Sequence, residues 1–359
     1  MQFTIYNTEE SKLERVLKSI DEEYITLLIN PHQVYFILDG LECYMHYGFN
    51  IVNGFEVDDL RVIRINRKKF LEVLTIGKLV FTIADDIVKI EFYDDVRYAY
   101  TLRCNYQEAL FEKYVKSLQL FVTADKYPMV DLSSLVSMIR IAKTLAAPIT
   151  SNEGVAQVNC KSNVFIYKEF DGPAFTVDGK NISMLMSYTP QVYNVQNYLV
   201  YTSEGLCIAV RKLVLQEGFS YDYILNQPSA YKVVFKMEQM INLSKRLRLT
   251  DGDLVLNLDK DIISYREKLA TTSTRIDVLE KVSAKDKKNS SDGGGLKINL
   301  SQVSVGKVSK YPSIVIPHIV VKTILKNLRG METITLYVRR TFILLEYDNI
   351  KIVFSREEV

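Results

Sequence analysis

The chain has no tryptophan, only four cysteines and three histidines among 359 residues, and these scarcities narrow its chemistry at once. Cys43, Cys104, Cys160 and Cys207 lie far apart in apolar, strand-like stretches, with no CxxC pair and no Cys/His cluster. The usual zinc and dithiol signatures are missing, so buried reduced thiols are expected. None of His32, His46 and His318 has a cysteine, serine or carboxylate partner at a spacing diagnostic of catalysis. Adjacent acids such as Asp94-Asp95 fall where turns are expected, and solvation accounts for them. The Gly293-Gly294-Gly295 run follows no strand and has neither GxGxxG nor Walker spacing, which argues against a phosphate cradle. The expectation is a protein that is not an enzyme, with no catalytic residue, metal, cofactor or small-molecule substrate.

Long hydrophobic runs are missing as well: none approaches the ~20 residues that a membrane-spanning helix needs. Met1-Gln2-Phe3-Thr4-Ile5 reads as an opening strand without a basic leader, so a cytoplasmic protein with no membrane partner is expected. Charge of one sign is also scarce, with 45 Lys and Arg against 43 Asp and Glu and a net charge of +2. Any contact with a polyanion must therefore come from local clustering. What the chain does have is 48% hydrophobic residues, enough for a sizeable core, and a length that suggests two or three domains. Its 23 tyrosines fall in alternating stretches and read as sheet packing rather than base-stacking platforms.

The organising feature is a repeat. A short apolar strand, a polar cap, an amphipathic helix and two or three alternating strands recur six times. In the clearest copy Val62-Ile63-Arg64-Ile65 is the strand, Asn66 the N-cap, and Phe70, Leu71 and Leu74 share one helical face. Strands at 79–83, 87–93 and 97–103 follow, separated by aspartate turns. The copy before it starts at Phe3, with a helix over 8–20. The third opens near Met129, where Asp131 caps a helix carrying Leu132, Leu135, Val136 and Ile139, and Pro148 lies just beyond. The fourth is compressed into a weak helix at 182–188 and strands at 198–202 and 206–211. The fifth and sixth carry helices at 237–247 and 317–328, the latter with Pro317 at its first position. Paired, the six give an α+β chain of three tandem domains, 1–115, 116–228 and 229–359, each of two βαβββ units. A flexible insertion is expected at about 281–297, which is poor in apolar residues and rich in Lys, Ser and Gly.

Six such units in three domains resemble the bacterial DNA polymerase III beta sliding clamp. Met1-Gln2-Phe3-Thr4-Ile5 is similar to that family's opening strand, and Val177-Asp178-Gly179-Lys180-Asn181-Ile182 to its "TDGHRL" turn. Glu217-Gly218-Phe219-Ser220-Tyr221-Asp222-Tyr223, with Pro228 beyond, resembles its "EGxFPDY…P" linker. The departures are those of a divergent member, such as a phage-encoded one. Lys180-Asn181 replaces His-Arg, Ser220-Tyr221 stands near the linker proline, and Ser355-Arg356-Glu357-Glu358-Val359 replaces the usual C-terminus. The stretch from Asp178 to Gly218 is also short for the family, which suggests a lost strand or loop near the fourth helix.

The resemblance implies a homodimeric ring around double-stranded DNA, bound without sequence preference, that tethers a DNA polymerase and is loaded by a clamp loader. Such a hole needs basic, mobile phosphate contacts rather than base readout. The helices offer Lys12, Arg15 and Lys18; Arg67, Lys68 and Lys69; Arg140 and Lys143; Lys245, Arg246 and Arg248; and Lys322, Lys326 and Arg329. Lysine and arginine also serve merely solvated helix faces, but here they recur on five of six helices. A client-peptide groove is implied at Val177, Gly179, Lys180, Ile182, Tyr221, Leu225, Val353, Phe354 and Ser355. Two alternatives stay open: a monomeric clamp-like DNA-binding accessory factor without a closed ring, and a virion or scaffold protein that does not touch DNA.

Overall fold

The computed structural model describes residues 1–8, 13–55, 60–93, 97–160, 164–214, 221–236, 238, 253–257, 260, 262–266, 271–275, 278–283, 313–320, 333–347 and 349–356. β1 (Gln2–Asn7), α1 (Leu13–Ser19), β2 (Tyr24–Ile29), β3 (Gln33–Asp39) and β4 (Cys43–Asn50) form the first copy of the repeat, followed by a short β5 (Asn53–Phe55). β6 (Arg61–Asn66), α2 (Arg67–Val73), β7 (Gly77–Ala84), β8 (Ile87–Tyr93) and β9 (Arg97–Tyr106) form the second. A helix foreign to the repeat, α3 (Phe111–Val122), precedes the third: β10 (Met129–Asp131), α4 (Val136–Leu145), β11 (Pro148–Asn152), β12 (Val155–Cys160) and β13 (Val164–Glu169).

The fourth copy comprises β14 (Phe175–Asp178), α5 (Gly179–Met186), β15 (Gln191–Val195), β16 (Tyr198–Ser203) and β17 (Leu206–Arg211), with α6 (Tyr221–Asn226) after it. Its strands are all present, so of the strand or loop loss expected from its length only the loop alternative remains. Tight turns shorten it, with Gln196 at φ 44° and Gly205 at φ 68°. The remaining strands are β18 (Tyr231–Lys236), β19 (Asp253–Asn257), β20 (Ile262–Arg266), β21 (Thr271–Arg275) and β22 (Val278–Ser283). They are followed by β23 (Ser313–Ile316), β24 (Thr333–Val338), β25 (Phe342–Tyr347) and β26 (Ile350–Ser355). Residues 281–283 of the expected insertion thus belong to a strand, and 284–297 lie outside the described residues. So do the expected helices at 237–247 and 317–328, apart from 238 and 317–320.

Local chemistry explains these elements. Asn66 caps α2, its side chain accepting from the Lys69 backbone N–H at 3.1 Å. Asp131 instead accepts from Ser133 N at 2.8 Å and opens a short 3₁₀ turn, so α4 starts only at Val136. At Gly179 a side chain is impossible: its Cβ would lie 2.6 Å from both the Ala142 carbonyl carbon and the Ala147 oxygen. The Asp-Gly turn is a packing requirement here.

By compactness the chain forms two units, 1–134 with 180–214 and 135–179 with 215–359. Strand pairing explains why the cut falls inside the expected middle domain. In the first unit a 13-stranded sheet runs β10-β15-β16-β17-β4-β3-β2-β6-β9-β8-β7-β1-β5. In the second a 9-stranded sheet runs β14-β11-β12-β13-β26-β25-β24-β18-β22, beside a 4-stranded β21-β20-β19-β23. One pairing scheme is used three times. The opening strands pair as β1·β7, β10·β15 and β18·β24, and the later ones as β2·β6, β11·β14 and β19·β23. Two joins link the sets, β4·β17 and β13·β26, and both are antiparallel.

Candidate nucleic-acid interface

Side chains alternate across a strand, so β4 identifies the two faces of its sheet. Met45 meets α1, its sulfur 3.4 Å from the Ser19 hydroxyl, whereas Tyr44 stacks on Phe121 of α3 at 5.0 Å. Thus α1 and α3 lie on opposite faces. α1 buries Leu13, Val16 and Leu17, and α2 buries Phe70 and Val73. These apolar stripes leave Arg15, Lys18, Lys68 and Lys69 exposed. In the other unit α4 buries Met138, Ile139, Ile141 and Ala142 and leaves Arg140 and Lys143 exposed.

Arg67 does not join this set. Its side chain is buried, with Nη1 donating to the Leu17 carbonyl at 2.8 Å and the Ile20 carbonyl at 2.5 Å, while Nη2 pairs with Asp21 at 2.9 Å. It satisfies the carbonyls at the end of α1, which a helix C-terminus leaves without partners. The reason is positional: as the first residue of α2 it points back at the neighbouring helix.

The other basic residues differ among themselves. Arg15 donates to the Ser187 carbonyl at 3.0 Å and lies 4.4 Å over the Tyr188 ring, so it also ties α1 to the turn after α5. Lys18 pairs with Glu14 at 2.5 Å in an exposed i,i+4 contact worth little. Lys68, Lys69, Arg140 and Lys143 form no ion pair among the described residues. Lys12, Lys245, Arg246, Arg248, Lys322, Lys326 and Arg329 lie outside the described residues.

The residues of the expected peptide groove differ in exposure. Val177 and Ile182 are wholly buried and Phe354 is 1% exposed. Gly179 is buried too. Val353 and Phe354 are consecutive in β26 and so face opposite sides. Val353 belongs to a cluster with Tyr167, Phe342, Leu344 and Ile224 of α6, edged by half-buried Val155, Phe165 and Tyr337. Leu225 is half-buried beside it in sequence, Lys180 and Ser355 are exposed, and Tyr221 opens α6. The residue missed by sequence reasoning is Arg339, 6% exposed, whose Nη1 donates to the Ile224 and Leu225 carbonyls and holds the end of α6. Arg339 and Arg340 are adjacent arginines between two strands, and nothing in the sequence tells which of them turns inward to this role.

No group of three or more His, Cys, Asp or Glu side chains among the described residues could hold a metal. The thiols are buried and burial pushes them up, Cys43 and Cys160 to about 12. Among the described residues no helix is long and apolar enough to cross a membrane.

No protein-family model matches the sequence, and no curated protein sequence matches it. Solved structures do match over the whole length. The Helicobacter pylori beta clamp bound to a DNA ligase peptide is 13% identical, with a TM-score of 0.63 over 99% of this chain and 100% of that one. A protein described as a DNA polymerase III beta subunit of Eubacterium rectale is 12% identical, with a TM-score of 0.65 and full coverage of both chains. The sliding clamp of Pseudomonas aeruginosa bound to griselimycin is 12% identical, with a TM-score of 0.63 and full coverage of both. All three are bacterial, and none supports a phage origin. The chain has the full-length fold of the DNA polymerase III beta sliding clamp, at a sequence distance expected of a divergent one.

Proposed function

We propose that this chain is a non-catalytic sliding clamp that closes as a homodimer around duplex DNA and tethers replication proteins. The observation that carries the proposal is the pairing scheme. Each join within the chain pairs the last strand of a first half with the last strand of a second half, β4 with β17 and β13 with β26. Repeated through three domains, 1–115, 116–228 and 229–359, this rule leaves two edges over: β21, and residues 97–103 of β9. The latter pair with β8 on one side only, because β6 takes just Cys104, Asn105 and Tyr106. A long unpaired edge with exposed Tyr98 and Tyr100 invites another chain. Joining β9 of one copy to β21 of the next repeats the internal joins and closes a two-fold ring.

Lys68, Lys69, Arg140 and Lys143, with Arg15 and Lys18, would then supply the mobile phosphate contacts, and the two alternatives lose their appeal because neither needs complementary edges. Clients would dock beside α6, on Leu225 of the expected groove and the half-buried rim of Phe165 and Tyr337.

Light scattering tests the ring. The expected species has about twice the 41.3 kDa chain mass, and Tyr98→Asp with Tyr100→Asp should give a folded monomer. A native monomer at high concentration, or a double variant that still dimerises, overturns closure. Retention on circular DNA tests the inner face. Lys68→Gln with Lys69→Gln should lower the salt slope by about 2 units, roughly one per phosphate contact. An unchanged slope would leave both lysines merely solvated.

A further inference from the structure

At the end of α3 a cavity of ≈790 Å³ opens between β3, β4 and the β16–β17 turn. Its size is that of a ligand site rather than a packing defect. His46 lies in its wall, 5% exposed and set edge-on to the rings of Tyr35 and Tyr44, each 5.7 Å away. Burial lowers its pKa to about 4, so the ring is neutral at neutral pH. Its Nδ1 is sealed off with no hydrogen-bond partner among the described residues. A buried N–H without an acceptor is rarer than a lone pair without a donor, so the proton belongs on Nε2, the ring nitrogen left accessible.

The rest of the lining fixes what that donor would meet. Tyr6, Val52 and Val122 form an apolar rim, exposed at 50%, 52% and 69%, and Phe121 stands behind them. Among the described residues the lining contains no lysine or arginine and one acid, Glu204, so it offers an anion no countercharge. The close approach of the two turns also holds the mouth in shape. Gly48 N donates to the Gly205 carbonyl at 2.7 Å, and a Cβ at Gly205 would sit 2.8 Å from the Gly48 oxygen.

We infer that this cavity binds an uncharged aromatic group carrying a hydrogen-bond acceptor, its ring against Phe121 and Val122 and its acceptor on His46 Nε2. The group is carried by a free small molecule. The lining includes none of the basic helix residues and none of α6, so the site stands whether or not the ring closes.

The absence of tryptophan makes the test direct. N-acetyl-tryptophanamide fluorescence is read without background as the full-length protein is added, and 2-naphthamide and 2-naphthoate are used as competitors. A saturable blue shift is expected, displaced by 2-naphthamide better than by 2-naphthoate. It should weaken about tenfold in His46→Phe, the loss of about one hydrogen bond, and in Val122→Glu, whose exposed position leaves folding intact. No saturable shift, equal displacement by the naphthoate, or a shift that persists in both variants overturns the inference.

Discussion

The two joins within the chain solve one problem by different means. At β4·β17 five residue pairs run from Leu206↔Tyr47 to Val210↔Cys43, under a helix, α3, that buries Tyr114, Leu118 and Phe121 on the paired strands. At β13·β26 four pairs run from Phe165↔Val353 to Lys168↔Ile350, under the single turn and a half of α6. There Ile224 supplies the apolar anchor and Arg339 holds the helix by its last carbonyls. Equivalent positions carry different chemistry, since His46 stands opposite Cys207 in one join as Tyr167 stands opposite Lys351 in the other. A join can thus rest on buried apolar area or on a short element pinned by one charge.

The sharpest way to break the comparison is to empty each anchor. Phe121→Ala should cost about 4 kcal/mol and Ile224→Ala about 3 kcal/mol, typical of large-to-small core changes. Guanidinium unfolding measures both; an Ile224 loss larger than the Phe121 loss would reverse the assignment of the stronger join.

Acid should separate the joins next. His46 is depressed from 6.5 to about 4 by burial, so above pH 6.5 neither folded nor unfolded chain is protonated there and its contribution is fully present. Between pH 6.5 and 4 the unfolded chain takes up a proton that the folded one refuses. Stability falls by about 1.4 kcal/mol per pH unit, roughly 3 kcal/mol in all. Tyr167, raised by burial, does not titrate in that window. Hydrogen exchange should therefore loosen β4 and β17 at pH 4.5 and spare β13 and β26, and His46→Phe should abolish the asymmetry. Equal loosening of both joins would show that His46 is not its source.

The smallest expected effect is at Arg339. Arg339→Gln keeps some donor capacity but loses the charge over the Ile224 and Leu225 carbonyls, for about 1.5 kcal/mol. Proteolysis near α6 should rise with β25·β26 protection intact; a loss of that protection would mean Arg339 supports the sheet itself.

How much of this was legible in the sequence depends on range. The period-two strands, the Asn66 cap and the amphipathic faces of α1, α2 and α4 are local, and local propensity decides them. The repeat, and with it the fold class, followed from their order. α3 was legible but missed: Phe111, Tyr114, Leu118 and Phe121 hold a helical period, yet no side-chain cap marks its start, and the boundary drawn at 115 cut through it.

What only the tertiary structure decided is which member of a pattern does what. Arg67, Lys68 and Lys69 are equivalent in sequence as basic residues opening a helix. The fold turns Arg67 into the cap of α1 because its direction along α2 meets two unsatisfied carbonyls, while its neighbours rotate about 100° each toward solvent. Val353 and Phe354 are equally apolar, and the pleat alone sends them to opposite faces. Sequence by itself determined the alternation, the six copies and the near-zero net charge. Pairing over long separations determined the joins and the cavity beside His46, because each unites residues whose proximity no local propensity encodes.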